Sequence, residues 1–166
     1  MSELTTPRDL FLHELGDILY VEQKLADEVI PKLISEVQAD ELRKGLEKHL
    51  EQTRGHVTNV EQVFDELGES PKTEECIGFE GLKKEQEKLV EEASEGLIDL
   101  VNTGAAARTE HYEIAAYSGL IEMARALGEQ NAVTLLDENL KSERETLREV
   151  ESIEKNLRDE LKAATS

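Results

Sequence analysis

Aromatic residues, proline and cysteine are scarce in this chain of 166 residues. Aromatic side chains make up 4% of it, tryptophan is absent, and there are three prolines. Charged residues, mostly glutamate, make up 34%, which is typical of long helices and unlike a β-sandwich. The composition therefore predicts an all-α protein, and the length predicts a single domain over residues 1–166.

Cys76 is the one cysteine, so an internal disulfide is excluded and nothing indicates an oxidising compartment. We expect it to be a buried, unreactive thiol. The N-terminal MSELTTPRDL lacks the apolar core of a signal peptide. No run of about 18 apolar residues is present, so no transmembrane helix is expected. These absences predict a cytoplasmic protein that does not enter a membrane.

Positive charge is also scarce. The chain has 19 basic and 38 acidic residues, which gives a formal net charge of −19. Binding to nucleic acid needs clustered lysine and arginine, so no nucleic-acid partner is expected. A well-hydrated acidic surface is the simplest interpretation, and adaptation to a saline host is the alternative.

Four segments repeat apolar residues every three or four positions, as the helices of a bundle do. Thr6-Pro7-Arg8-Asp9 has the features of a helix start, and Gly68 and Gly128 suit helix ends. Pro31 is expected to kink the first helix. The predicted helices cover residues 6–37, 40–67, 95–127 and 130–163.

Residues 68–94 form the one long connection, and a short, highly charged helix is expected there from Phe79 to about Glu92. Two helical hairpins joined by one long crossover are typical of the ferritin-like arrangement. The predicted fold is therefore a ferritin-like four-helix bundle whose crossover carries a short extra helix.

Five titratable residues lie on the apolar faces of these helices, where an unpaired charge is costly to bury. They are Glu22, His56, Glu110, Glu113 and Glu143. All five lie 14 to 19 residues from the interhelical turns near Gln38 and Glu129. Because a helix rises about 1.5 Å per residue, these separations place all five near the middle of the bundle.

An oxygen-rich group with one imidazole and no thiolate suits iron, manganese or zinc better than copper. We therefore predict that these five residues bind metal, with a di-iron pair or manganese as the cofactor and zinc as a substitute in purified samples. Each residue alone has an ordinary explanation, such as a glutamate paired with Arg108 or a hydrogen-bonded histidine. Their convergence at one depth is what favours metal binding.

Three further residues are expected beside the ligands rather than among them. His49 shares the apolar face of its helix but lies about five residues, or about 7.5 Å, from the level of the others. Gln52 borders the core, where it can orient a ligand or a water molecule. Tyr117 is either a hydrogen-bond or radical partner of the site or an ordinary core aromatic.

The most distinctive segment of the chain is EHYEIAAYSGL at 110–120, with support from GDILYVEQKL, HLEQTRGH, CIGFEGL and LLDENLKSE. In these segments the chain resembles the YciE/YciF family of ferritin-like stress proteins, over about residues 10–157. The resemblance implies a four-helix bundle, often dimeric, with a dimetal centre and stress-linked expression.

Two features depart from related ferritin-like sequences. The Glu-x-x-His pair of ferritins is absent, since Thr53 precedes His56 and Thr146 follows Glu143 by three residues. The family often has a glutamate where this chain has Gln52. Both features lower the number of carboxylates, so a single metal ion is an alternative to a pair.

The sequence therefore predicts a ferritin-like metal-binding protein that acts on Fe(II), peroxide or dioxygen, with metal ions and a second copy of the chain as partners. The alternative is a non-enzymatic dimeric bundle that serves in interaction or stress protection, with a weak or vestigial metal site.

Overall fold

The computed structural model describes residues 4–164, so residues 1–3 and 165–166 of the expected domain lie outside the described part. Six α-helices make up most of that part, and it contains no strand. The helices are α1 Pro7–Lys24, α2 Ile30–Glu36, α3 Asp40–Glu66, α4 Ile77–Glu92, α5 Ile98–Leu127 and α6 Gln130–Ala164. The predicted all-α class is confirmed.

Helices begin and end at the capping residues that the sequence indicates. The Thr6 hydroxyl accepts a hydrogen bond from the Asp9 N–H at 3.1 Å, and the Asp9 carboxylate accepts one from the Thr6 N–H at 2.9 Å. Gly68 and Gly128 have φ of +73° and +80°. This left-handed conformation suits glycine, and it ends α3 and α5.

A single wide turn of π-helix, Leu25–Val29, joins α1 to α2. Pro31 has no N–H to donate to the carbonyl four residues before it, and its ring clashes with that carbonyl. The N–H of Ile30 instead donates to the carbonyl of Leu25, five residues back. The disturbance expected at Pro31 is therefore a π turn that widens the first bundle helix without ending it.

The four long units of the bundle are α1 with α2, α3, α5 and α6. The first and last of these each pack against both α3 and α5. The N–H of Gln38, in the first hairpin turn, donates to Asp99 at the start of α5 at 3.1 Å. Arg8 Nη1, at the start of α1, lies 3.8 Å from Glu129 Oε1 in the second hairpin turn. The two turns thus lie at opposite ends of the bundle, which confirms the ferritin-like topology.

The crossover approaches α1 closely at Gly16. The N–H of Glu74 donates to the Gly16 carbonyl at 3.0 Å. A Cβ atom on Gly16 would lie 2.7 Å from the carbonyl oxygen of Lys72, so the close contact requires glycine. The crossover helix α4 packs against α5. None of the helices in the described part is long and apolar enough to cross a lipid bilayer.

Buried polar residues lie in the middle of the bundle, between two apolar regions. The buried side chains of α3 follow this order along the helix: Leu42, Leu46, His49, Thr53, His56, Val60, Val63 and Phe64. The apolar ends supply the hydrophobic stabilisation of the fold, and the polar middle holds the candidate site.

Candidate metal centre

The structure buries all five predicted ligands in the middle of the bundle, with every long helix contributing. They are Glu22 of α1, His56 of α3, Glu110 and Glu113 of α5, and Glu143 of α6. The most exposed of them, His56, is only 4% accessible. Four carboxylates in one core need a counter-charge or protons, since buried unpaired charges are strongly disfavoured.

Glu22, His56 and Glu143 form one group with the geometry of a metal site. One ligand atom from each lies within 4.8 Å of the other two. His56 Nδ1 is 2.7 Å from Glu143 Oε1 and 3.4 Å from Glu22 Oε1. Nevertheless, neither His56 Nδ1 nor either oxygen of Glu143 makes a well-directed hydrogen bond. Nitrogen and oxygen atoms that lie this close together without hydrogen bonds between them are suited to coordinate a cation.

His49, Glu110 and Glu143 form a second such group, also within 4.8 Å. His49 Nε2 lies 3.2 Å from Glu110 Oε1, although the sequence placed His49 about 7.5 Å from the ligands. That estimate assumed one level, whereas the cluster extends along the bundle axis. On the far side of the ring, His49 Nδ1 is 3.4 Å from the Thr146 hydroxyl, and this contact helps to hold the ring.

Glu143 belongs to both groups, so it lies where they meet. Glu113 lies outside both groups, but it is fully buried and neither of its oxygens has a hydrogen-bond partner. A buried carboxylate with no partner is costly. A nearby cation would remove that cost.

A chain of hydrogen bonds orients the Glu22 end of the cluster. The Tyr117 hydroxyl donates a short hydrogen bond to Glu22 Oε1. Asn139 Nδ2 donates to the Tyr117 hydroxyl at 3.0 Å and to the His56 carbonyl at 3.2 Å. Asn59 Nδ2 in turn donates to Asn139 Oδ1 at 2.8 Å. Such partners restrict the orientation of a ligating side chain.

Asn139 was not among the residues expected at the site. The available signal was its spacing, because it lies four residues before Glu143 on the same face of α6, between Leu136 and Leu140. Tyr117 contacts the cluster as expected. Gln52 is only half-buried, and the structure does not bring it into these contacts.

Burial raises the pKa of Glu110 and Glu113 well above the usual glutamate value, and the nearby carboxylate of Glu143 raises both further. Burial also raises the pKa of Glu22, although the neighbouring His56 and Tyr117 oppose the shift. Without a cation, protonated carboxyl groups are therefore favoured in this core.

The two histidines shift in opposite directions. Burial lowers the pKa of His49, so its imidazole is favoured in the neutral form that binds metals. Burial acts the same way on His56, but the carboxylates of Glu22 and Glu143 outweigh it and raise the pKa of His56 to about 10. Burial would raise the pKa of Glu143, but His56 outweighs that effect and lowers it.

The chemistry of these side chains suits divalent cations. The cluster offers four carboxylates and two imidazoles with no thiolate, and six of its carboxylate oxygens lack a hydrogen-bond partner. Iron and manganese accept mixed oxygen and imidazole ligands of this kind. Cys76 takes no part in the cluster. It is buried, and its sulfur accepts a hydrogen bond from the Phe79 N–H at the start of α4.

Known proteins resemble this chain over most of its length. The family model described as "Domain of unknown function (DUF892)" matches residues 6–162. Protein YciF of Escherichia coli (strain K12) is 32% identical over 145 residues, which are 86% of this chain and 87% of that protein.

Solved structures agree with the sequence match. The crystal structure of the E. coli stress protein YciF has a TM-score of 0.87 at 30% identity, covering 93% of this chain and 98% of that one. YcfI of Rhodopseudomonas palustris, named as a candidate structural protein, has a TM-score of 0.86 at 35% identity, covering 90% and 95%. The chain therefore belongs to the YciF family of helical proteins, which the DUF892 domain defines.

Proposed function

We propose that this protein binds two iron or manganese ions in its core and oxidises Fe(II) with peroxide or dioxygen. The observation that carries the proposal is that two buried groups of potential metal ligands share Glu143. With peroxide as oxidant, two Fe(II) ions lose one electron each. The peroxide takes both electrons and two protons and becomes two water molecules.

Each residue of the cluster has a role in this proposal. Glu22 and His56 would hold one ion, and His49 and Glu110 would hold the other, with Glu143 available to both. Glu113 would add negative charge to the same core. The bound ions would supply one-electron redox chemistry in this buried core. Tyr117 orients Glu22, and Thr146 fixes the ring of His49, so that the donor atoms stay in place.

The biological setting is part of the same proposal. The E. coli relative is named a stress protein, and removal of peroxide or Fe(II) is useful during oxidative stress. We extend that role to this chain, as a homodimer in the cytoplasm.

Metal content is the first test. Protein expressed in iron- and manganese-supplemented medium should contain about two metal ions per chain, measured by elemental mass spectrometry. An optical titration of the same sample with Fe(II) and peroxide should show rapid peroxide consumption. Both results together would establish a dimetal redox protein.

Glu143→Gln is the sharpest variant, because it removes the carboxylate that both donor groups share while preserving its shape. We expect metal content to fall below about one ion per chain. Glu145→Gln is the matched control, since Glu145 is exposed on the same helix and should leave the content unchanged. Unchanged metal content in both Glu143→Gln and the double variant Glu22→Ala/Glu143→Ala would refute the assignment.

One observation favours the non-enzymatic alternative. The raised pKa values of Glu110 and Glu113 allow both side chains to be neutral in a stable metal-free core. If the purified protein retains no metal and shows no optical change, a structural or interaction role as a dimeric bundle becomes the better proposal.

A further inference from the structure

A cavity of about 50 Å³ reaches the His49 end of the cluster from the side of α4. His49 and Glu110 line it together with side chains of the π turn, α2, α4 and α5. A second cavity of about 140 Å³ adjoins it. The two share four lining residues: Val29, Leu33, Lys83 and Gln86. We refer to these two adjoining cavities as the passage.

Local helix geometry leaves this space open. Leu25 and Val29 of the π turn line the inner cavity together with Ala105 and Ala106 of α5. An α-helix widened by one residue, next to two of the smallest side chains, cannot close the gap that longer side chains would fill. The π turn, which lies just before Pro31, is therefore one cause of the open space.

The charges at the outer cavity are paired across it. Lys83 Nζ lies 3.7 Å from Glu28 Oε2, and Lys32 Nζ lies 4.0 Å from Glu87 Oε1. Each pair joins α4 to the first bundle helix. Two lysines and two glutamates at the entrance cancel one another, so the entrance does not concentrate cations as a ring of carboxylates would.

The inner cavity is mainly apolar, with leucine, isoleucine and phenylalanine side chains among its walls. Gln86 is one of its few polar groups. Its Nε2 donates to Asn102 Oδ1 at 2.8 Å, so its amide oxygen is the one atom that it can offer to a cation. A hydrated divalent cation would have to give up water here without gaining enough oxygen ligands. A small uncharged molecule pays no such penalty.

We propose that this passage admits dioxygen or hydrogen peroxide to the His49–Glu110 end of the centre and excludes metal cations, which enter elsewhere. The biological meaning of the passage rests on the proposed function. Its existence does not, because xenon binding is measured on protein without metal, whereas its selectivity is measured on metal-loaded protein.

Xenon binding is the first test, since xenon enters apolar cavities and needs no metal. In metal-free protein under xenon pressure, the methyl NMR signals of Ala105 and Ala106 should shift and saturate. Ala106→Phe should abolish the shift at Ala105. Ala115→Phe, at an exposed position of the same helix, should leave it intact. No xenon response in the wild type, or an equal response in Ala106→Phe, would overturn the proposal.

A second variant keeps the proposal testable if Ala106→Phe does not fold. Leu82 lines the inner cavity from α4, so Leu82→Ala should enlarge it and strengthen xenon binding. Thermal melting by circular dichroism establishes that each variant is folded. If Ala106→Phe does not fold, an unchanged xenon response in Leu82→Ala overturns the proposal by itself.

Experiments on metal-loaded protein then compare the access of the two oxidants with the access of cations. In stopped-flow mixing with dioxygen and, separately, with peroxide, Ala106→Phe should react about tenfold more slowly than Ala115→Phe. Slowing with only one oxidant identifies the molecule that the passage serves.

The rate of Mn²⁺ uptake and the final metal content should be equal in the two variants. Equally slowed Mn²⁺ uptake would show a cation route and overturn the proposal. If no variant binds metal, the proposed function fails, while the xenon result stands.

Discussion

The Tyr117 hydroxyl both donates to Glu22 and accepts from Asn139. We expect Tyr117→Phe to leave both partners unsatisfied and to lower the free energy of unfolding by about 1–3 kcal/mol. Urea denaturation of the metal-free protein measures it. Tyr20→Phe is the control, because the Tyr20 hydroxyl bonds the Glu80 carboxylate in a partly exposed position and should cost less. A Tyr117→Phe protein as stable as wild type would contradict this role.

Glu113 should make the metal-free protein less stable as pH rises. Burial, and then the charges of Glu143 and Glu22, raise its pKa in the folded state far above the reference value of 4.5. Its contribution to stability is therefore complete below pH 4.5 and is lost as pH rises through the folded pKa. Glu113→Gln keeps the shape without the charge, so we expect higher stability than wild type at pH 8.

Urea unfolding of metal-free protein at several pH values above 4.5 measures this effect. Glu145→Gln, on the exposed face of α6, should follow the wild-type pH dependence. A wild-type slope in Glu113→Gln would contradict the argument. In both the wild type and Glu113→Gln, His56 also makes the stability fall as pH rises. Its pKa is raised to about 10, so its contribution is lost from about pH 6.5 upward.

At the scale of elements, the contact between the crossover and α1 depends on Gly16. Gly16→Ala would place a Cβ atom 2.7 Å from the Lys72 carbonyl oxygen, so one backbone segment must move. We expect a loss of about 1–3 kcal/mol in unfolding free energy. Gly55→Ala is the control, because no atom lies within 4 Å of its Cβ position and alanine is the better helix former. It should stabilise the protein by about 0.5–1 kcal/mol.

Equal stabilities of these two variants, measured by thermal and urea unfolding, would show that the crossover does not pack on Gly16. The sequence did not predict this contact, because a glycine inside a helical pattern has no distinctive spacing. It did predict a crossover with a short helix, because the apolar repeat is interrupted and the turn signal Ser70-Pro71 is visible.

The π turn shows a second limit of the apolar pattern. The repeat predicted one helix over residues 6–37, and Pro31 predicted a disturbance in it. A periodicity of three or four residues cannot distinguish a kink from one extra residue in a turn. The structure adds that residue at Leu25–Val29, next to the inner cavity.

At the scale of the whole molecule, the net charge of −19 implies repulsion among surface carboxylates. Salt shortens the Debye length from about 30 Å at 0.01 M to about 3 Å at 1 M. We therefore expect the melting temperature to rise with sodium chloride over this range. Melting curves at several salt concentrations measure it. No rise would count against both strong surface repulsion and a saline host.

The predicted homodimer also belongs to this scale. The chain has a mass of 18.6 kDa, so light scattering coupled to size-exclusion chromatography should give about twice that value. A monomer mass at all concentrations would contradict the prediction. A much larger assembly would favour an iron-storage cage instead.

The sequence by itself determined the helices, their topology and most of the cluster. Apolar periodicity marks which face of each helix is buried, and charged residues on that face are conspicuous because burying them is costly. This reasoning selected Glu22, His56, Glu110, Glu113 and Glu143. The structure buries all five and places four of them, all but Glu113, in the two groups that could hold a metal.

Only the tertiary structure decided which side chains come together as potential ligands of one metal ion. The rise of 1.5 Å per residue locates a Cα atom along the bundle axis, but a long side chain reaches several ångströms in a direction set by its rotamer. His49 therefore joins Glu110 and Glu143, although the position of its Cα atom predicted a different depth. Asn139 likewise connects Tyr117 to His56. The passage beside α4 likewise depends on helix spacing, which arises only when α2, α4 and α5 pack together.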